Sequence, residues 1–509
     1  MTVIDQKRIA KNTLMLAIRM GLMTVVKLYT VKVVMDALGN VDYGIFNTVA
    51  GVVLTFSFIN DTMSTACQRF LAIGMGQNDY VKVRNTFSLC ILVFIAIALV
   101  IAVLCETGGL VLLHNKIQLD GRSMSTAHTV FQLAIISFIF TIIKTPYHGM
   151  VIMKEKMNVY TYISIIEVLG NLGTAILIAH SDKDRLVLYS VLMMLVNAMV
   201  SLAYVSYCNI RYKECRFKYY WNRAEFKEIL YFVTWNMFGS LAISLKSYGL
   251  NVLINIFFGN IVVSARTLAF KVYGILLEFS GNITTAVRPQ IIKSYSAGDK
   301  EGMFKLVFQG SKFAYYLFLI VSLPLFLEMP LVLNLWIDDV PEYTVLFARL
   351  CIINGLFDVL VTPLAVSMQA YGKIRTYQLV CSFFIMAVIP ISYIFLKLGF
   401  PPQTVFYVSI IICALAIVLR VLFINHYIGL PVGGYFRRVM VPMVTVTAIS
   451  AVIPAILEMA ISNVILRFFT VCATAVIMIC ISAYTIGMTV TERKHATDYI
   501  KNLLQAKKR

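Results

Sequence analysis

Charge is scarce in this sequence: only 14% of its 509 residues are Asp, Glu, Lys or Arg, whereas 60% are apolar. A water-soluble chain of this length needs far more polar surface, so the composition excludes an ordinary soluble protein. No polar stretch is long enough to fold as a soluble domain. Histidine is scarce too, with six residues and no i,i+4 pair of the kind that holds a metal on one helix face. No Gly-rich phosphate loop leads into a soluble helix. The ten cysteines are scattered, most of them inside apolar runs (Cys67, Cys90, Cys105, Cys351, Cys381, Cys413, Cys472, Cys480). Their spacing excludes a metal finger or a disulfide framework, and they read as small apolar residues. The expectation is therefore no catalytic residue, no metal and no resident cofactor. Acid is scarcer than base, 25 residues against 44, which leaves a formal charge of +19.

What the chain has instead is long apolar runs and a mean hydropathy of +0.82. A helix crossing a bilayer needs roughly 20 predominantly apolar residues, and such runs fall at about 12–38, 44–71, 86–107, 126–151, 157–180, 186–209, 229–258, 261–292, 310–336, 345–371, 376–397, 403–427, 438–460 and 464–489. The expected fold class is all-α integral membrane, with about 14 transmembrane helices. The first run follows Lys7, Arg8 and Lys11 and is too long for a cleaved signal, so it counts as a retained span. Basic residues concentrate in alternate connections, including Arg211-Lys213-Arg216-Lys218-Arg223-Lys227 and the tail from Arg493 to Arg509. The positive-inside rule then puts both termini in the cytoplasm. Contact with anionic membrane lipids accounts for the basic tail, and no nucleic-acid partner is expected.

The chain also matches itself. A shift of 220 residues brings Leu38-Gly39-Asn40 onto Phe258-Gly259-Asn260 and Asn78-Asp79 onto Gly298-Asp299. A shift of 217 brings Thr145-Pro146 onto Thr362-Pro363, Lys156 onto Lys373 and Tyr160 onto Tyr377. These matches include polar turn residues, which chance alignment of two apolar stretches does not supply. Six spans separate equivalent helices, so the two copies keep the same orientation about an axis along the membrane normal. The expected organisation is two pseudo-symmetric six-helix lobes, 1–215 and 216–430, plus two extra helices and a basic cytoplasmic tail in 431–509.

Charges inside the spans are the informative residues. Arg69, Arg288 and Arg420 lie near cytoplasmic ends, where snorkelling accounts for them, and Lys32 with Asp36 makes an i,i+4 pair. Arg19, Lys27, Lys246 and Lys271 lie deeper, at about 3 kcal/mol each if they faced lipid at the bilayer centre. They are expected to line protein or water. Lys27 maps within one residue of Lys246, so each lobe brings a lysine near the midplane, and Arg266 adds charge nearer the outer surface. A positive cleft suits a phosphate-bearing ligand, which Arg holds bidentately and Lys attracts as a mobile point charge. The candidate substrate-binding residues are Arg19, Lys27, Lys246, Arg266 and Lys271. Acids inside spans are few: Asp61, Glu167, Glu278 and Asp358. Glu278 lies i+7 from Lys271, which leaves two readings, a structural ion pair or a proton or sodium site competing with substrate. Glu278, Glu167 and Asp61 are the candidates for a coupling ion. Tyr29, Tyr248 and Tyr273 neighbour these charges and read mainly as core.

The stretch from Lys7 to Asp79 resembles the start of bacterial Wzx-type oligosaccharide flippases. The resemblance rests on Arg8-Ile9-Ala10-Lys11-Asn12-Thr13, Ala37-Leu38-Gly39, Asp42-Tyr43-Gly44-Ile45, Phe58-Ile59-Asn60 and Gln68-Arg69-Phe70-Leu71. These flippases move O-antigen and other polysaccharide precursors and belong to the multidrug, oligosaccharidyl-lipid and polysaccharide (MOP, MATE-like) superfamily. The resemblance implies a MATE-like fold with a V-shaped pair of lobes, alternating access and a cationic cavity for undecaprenyl-diphosphate-linked oligosaccharide. It implies no enzymatic activity, a monomer, and association with polysaccharide polymerase machinery. Lipid II flippases of similar build carry essential basic residues on the first and eighth spans, positions that Arg19, Lys27 and Arg266 match. Two other readings are weighed against it. A cation-coupled multidrug exporter of the same superfamily would use an acidic cavity. A membrane-embedded glycan polymerase or acyltransferase would carry catalytic side chains in a large outer loop, yet the longest outer segment, 108–125, offers only His114, Lys116, Asp120 and Arg122.

Overall fold

The computed structural model describes residues 56–111, 123–181, 184–336 and 340–494, Thr497, and single positions from 21 to 53. All regular structure among them is helical. The described residues between 21 and 39 are helical. They are followed by α1 Ser57–Gly76, α2 Tyr80–Leu104, α3 Met124–Met153, α4 Met157–Ala179, α5 Arg185–Arg211, α6 Arg223–Phe258, α7 Asn260–Ser296, α8 Lys300–Leu327, α9 Met329–Trp336 and α10 Thr344–Tyr371. Then come α11 Arg375–Met386, α12 Val388–Lys397, α13 Thr404–Ile428, α14 Val432–Tyr435, α15 Val441–Ala460 and α16 Val464–Ser482.

Eleven helices among the described residues are long and apolar enough to cross a membrane, with α11–α12 and α14–α15 each acting as one run. The helix at 21–39, α1 and α7 are the expected spans that this measure of length and composition leaves out. α7 is 37 residues long, but Arg266, Lys271, Glu278, Arg288 and Lys293 dilute its apolar character. Several helices overrun the apolar runs that announced them. α8 begins at Lys300 and α6 at Arg223, because a polar turn outside hydrocarbon satisfies its backbone as well by staying helical.

The duplication is legible in the turns. Asn78 and Gly298 both have positive φ, 56° and 82°, and the following Asp79 and Asp299 cap the next helix by accepting from the Lys82 and Gly302 amides at 2.9 and 2.8 Å. An N-cap aspartate fills one of the orphan donors of a helix start, so the same sequence pair encodes the same turn twice. At the 217-residue offset, Glu155 and Gly372 are again both left-handed, at 56° and 91°.

By contact the chain divides into two compact units, with the break inside α6 at Met237 and Phe238. In the first, α3 packs along α5 and α1, and α4 lies against α5. The Thr145 hydroxyl donates to Asn60 at 2.6 Å, tying α3 to α1. Val34, Ala37 and Leu38 bury against Ala175 and Ile178 of α4 and Tyr189 of α5. Arg69, expected to snorkel, is instead 5% exposed, stacked between Phe70 and Phe232 and 3.5 Å from Glu228.

In the second unit, α7 packs against both α8 and α10, and α13 closes on α10, α11 and α12. Gly355 permits this approach, since a Cβ there would stand 2.4 Å from the Phe318 ring of α8 and 3.0 Å from Tyr273 of α7. The C-terminal pair α15 and α16 packs on α8 and is fixed by two ion pairs. Arg467 meets Glu328 through two bonds of 2.8 and 3.0 Å, and Lys312 meets Glu492 at 2.6 Å.

Candidate functional site

One cavity of about 330 Å³, largely apolar but holding several charged side chains, lies inside the second unit, walled by α6, α7, α10, α11, α12 and α13. Its α7 wall is Arg266, Phe270, Tyr273 and Leu277, a stripe at i, i+4, i+7 and i+11 that occupies one helix face. α6 contributes Lys246 and Ser247, α10 contributes Asn354 and Asp358, and α13 contributes Cys413 and Arg420.

Asp358 sits halfway along the 28-residue α10. Its carboxylate is met by neutral donors from three helices. The Tyr273 hydroxyl and the Asn354 amide both donate to Oδ2, and the Cys413 thiol donates to Oδ1 at 3.0 Å. Three cations share the cavity with it. Arg266 is 2% exposed, donates to Asn251 of α6 and lies 4.2 Å above the Phe270 ring. Arg420 is 6% exposed, donates to the Tyr377 hydroxyl of α11 and covers that ring at 5.2 Å. Lys246 is half-buried. No carboxylate oxygen lies within 4.0 Å of any of the three among the described residues. The cavity thus holds three positive groups and one negative group, with no direct ion pair between them.

Of the residues singled out from the sequence, Lys246 and Arg266 come together here. Lys271 does not: it is one residue beyond Phe270, about 100° round α7 from the cavity stripe, and is exposed. Glu278, seven residues on, shares that face with Lys271 and is exposed too. Lys27 is exposed on the first unit. Glu167, half-buried on α4, lies 3.5 Å from Lys144 of α3, the geometry of a structural pair. Arg19 and the side chains of Asp61 and Tyr248 lie outside the described residues.

Two further charged residues of the cavity, Arg420 and Asp358, are not among the substrate-binding candidates read from the sequence. Arg420, assigned to snorkelling, is turned inward by its contacts with Tyr377. Asp358 reads from the sequence only as an acid inside a span. The signal for Arg420 was available in Tyr377, which the repeat pairs with Tyr160, but nothing in sequence alone connects two residues 43 apart across separate helices.

No protein-family model matches the chain, and no curated protein matches its sequence. Solved structures do match its fold. The chain is similar to an outward-facing multidrug resistance MATE family transporter of the MOP superfamily, with a TM-score of 0.73 and 13% identity over 82% of this chain and 94% of that one. It is similar to a MATE protein in its straight conformation, with a TM-score of 0.72 and 14% identity over 84% and 96% of the two chains. It is also similar to the MATE transporter ClbM in complex with Rb+, with a TM-score of 0.66 and 15% identity over 81% and 94%. The fold is therefore MATE-like, in a multi-pass membrane protein.

Proposed function

We propose that this protein is an alternating-access flippase that carries an undecaprenyl-diphosphate-linked oligosaccharide from the inner to the outer leaflet of the bacterial inner membrane, for surface polysaccharide assembly. The observation that carries this reading is the sign of the cavity. Lys246, Arg266 and Arg420 share it with Asp358 as its one carboxylate, and that carboxylate is occupied by neutral donors. A site for a cationic drug would need the opposite excess. The MATE-like fold supports the transport half of the reading, since its structural neighbours are transporters. Charged groups at membrane depth facing protein rather than lipid mark a ligand path by default.

In this reading both termini are cytoplasmic and the protein works as a monomer alongside polysaccharide polymerase machinery. The lysines of the two units, Lys27 and Lys246, meet the diphosphate at successive stages of its passage. A proton or sodium ion at Glu278, Glu167 or Asp61 would be an accessory to that step. The double substitution Lys27→Ala with Lys246→Ala is expected to abolish glycan display on cells while the protein inserts and accumulates normally. Full display at matched protein level would contradict the assignment.

A further inference from the structure

We propose that the segment from Arg211 to Lys227, which joins α5 to α6, is a docking surface for the anionic headgroups of the lipid leaflet beside it. It links two helices long and apolar enough to span a membrane, Arg185–Arg211 and Arg223–Phe258, so it lies where both apolar runs end. Lys213–Cys215 form one 3-10 turn, and residues 217–222 have no regular structure. The segment is nevertheless pinned to the first unit. Cys215 is fully buried, Glu214 meets Lys154 at 2.8 Å, and the Lys218 backbone N–H donates to the buried Ser88 hydroxyl of α2 at 3.2 Å. At its far end Asn222 caps α6, accepting from the Ala224 and Glu225 amides at 2.9 and 3.2 Å.

What the segment leaves outward is aromatic and basic. Phe217, Tyr219 and Trp221 recur at every second position, the spacing that places side chains on one side of an extended backbone, and they are 52, 73 and 51% exposed. Tyrosine and tryptophan favour the headgroup layer, where the ring meets apolar chains while its polar edge stays wet. All six cations of the segment, Arg211, Lys213, Arg216, Lys218, Arg223 and Lys227, are exposed, and none makes an ion pair among the described residues. Its two acids are engaged, Glu214 by Lys154 and Glu225 by the Tyr220 hydroxyl, which donates at 3.2 Å. Each cation held beside an anionic membrane surface favours contact by about fivefold. The rings therefore set the position of the segment, and the cations select the charge of the headgroup. An acidic soluble protein would also complement the cations, but a short connection tied down at both ends, directly against two spans, meets the headgroup layer first. The proposal holds whatever the protein transports.

The test uses the full chain in lipid nanodiscs and the fluorescence of Trp221. The chain has three tryptophans, so Trp235→Phe with Trp336→Phe leaves Trp221 as the only one. In phosphatidylcholine mixed with phosphatidylglycerol, its emission is expected to move to shorter wavelength and to be quenched by brominated acyl chains more strongly than in phosphatidylcholine alone. High salt, which screens exposed charges, should abolish that difference. So should Lys213→Gln, Arg216→Gln, Lys218→Gln and Arg223→Gln made together. A companion carrying Trp221→Phe with Trp336→Phe reports Trp235 of α6, whose emission should be unchanged by the four glutamines, so that a lost Trp221 response is not misfolding. Water-like Trp221 emission in both lipids would overturn the proposal. Equal quenching in both lipids, unaltered by the glutamines, would reduce the segment to an aromatic anchor with no headgroup recognition and overturn it too. Protection of Trp221 in native membranes but not in anionic nanodiscs would assign the surface to a protein partner instead.

Discussion

Replacing Lys312 by methionine is expected to destabilise the protein by about 3 to 5 kcal/mol, the usual cost of removing one partner from a buried ion pair. Lys312 is 2% and Glu492 7% exposed, and the ammonium lies 2.6 Å from Glu492 Oε2 and 3.2 Å from the Gly487 carbonyl oxygen. Without the lysine, Glu492 remains buried with Thr489, whose amide donates at 2.8 Å, as the residue left to hold its charge. The double variant Lys312→Met with Glu492→Gln should recover most of the loss, since it leaves no unpaired charge. Unfolding midpoints of the three proteins in detergent check this, and a single variant as stable as wild type would contradict it. The pair also sets an acid limit. Burial alone pushes the Glu492 carboxyl up, but the hydrogen bond and charge of Lys312 and the bonds from Thr489 hold it below its ordinary value of 4.5. A carboxyl depressed in the folded state adds stability that is fully present above pH 4.5 and is lost as pH falls through its lower folded value. Wild type should therefore lose this contribution below about pH 4.5, and the double variant should not.

The second large effect is expected from the membrane potential. Moving one elementary charge across 100 mV is worth about 2.3 kcal/mol, so a diphosphate with about two charges gains roughly 4 to 5 kcal/mol when it leaves a negative interior. In reconstituted vesicles, a potassium-diffusion potential imposed without a proton or sodium gradient should accelerate the appearance of lipid-linked oligosaccharide on the far leaflet. Glu278→Gln should leave that acceleration intact, in keeping with the exposed position of Glu278 away from the cavity stripe. A rate indifferent to potential, raised by an ion gradient and flattened by Glu278→Gln, would replace potential drive with ion coupling.

Much of this fold is written locally, and so it could be read from the sequence. A run of apolar residues measures the bilayer whatever surrounds it, which is why the helices from α2 to α16 fall where the runs do. The repeat is legible because a left-handed residue followed by an N-cap aspartate is a local device, and Asn78-Asp79 and Gly298-Asp299 build it in both halves. The site is legible only in part. Hydropathy gives a charged residue its depth but not its direction, so Arg266 and Lys246, which line one cavity, and the exposed Lys271 look alike in the sequence. Arg420 reads as a snorkelling residue because an arginine two turns from a helix end can reach water, and only its contacts with Tyr377 turn it inward. Asp358 draws on α7, on its own helix and on α13 at once. Lys312 and Glu492 are 180 residues apart. Convergence of that kind is set by packing, which no single stretch of sequence encodes.

The sign of the transported species is the most direct test of the central claim. Purified protein in phospholipid vesicles would be offered, in parallel, an undecaprenyl-diphosphate-linked oligosaccharide and a lipophilic organic cation. The expected result is protein-dependent transfer of the lipid-linked oligosaccharide to the opposite leaflet, abolished by Arg266→Gln, with no movement of the cation. Exchange of the cation against sodium or protons, with the oligosaccharide left on its original leaflet, would contradict it.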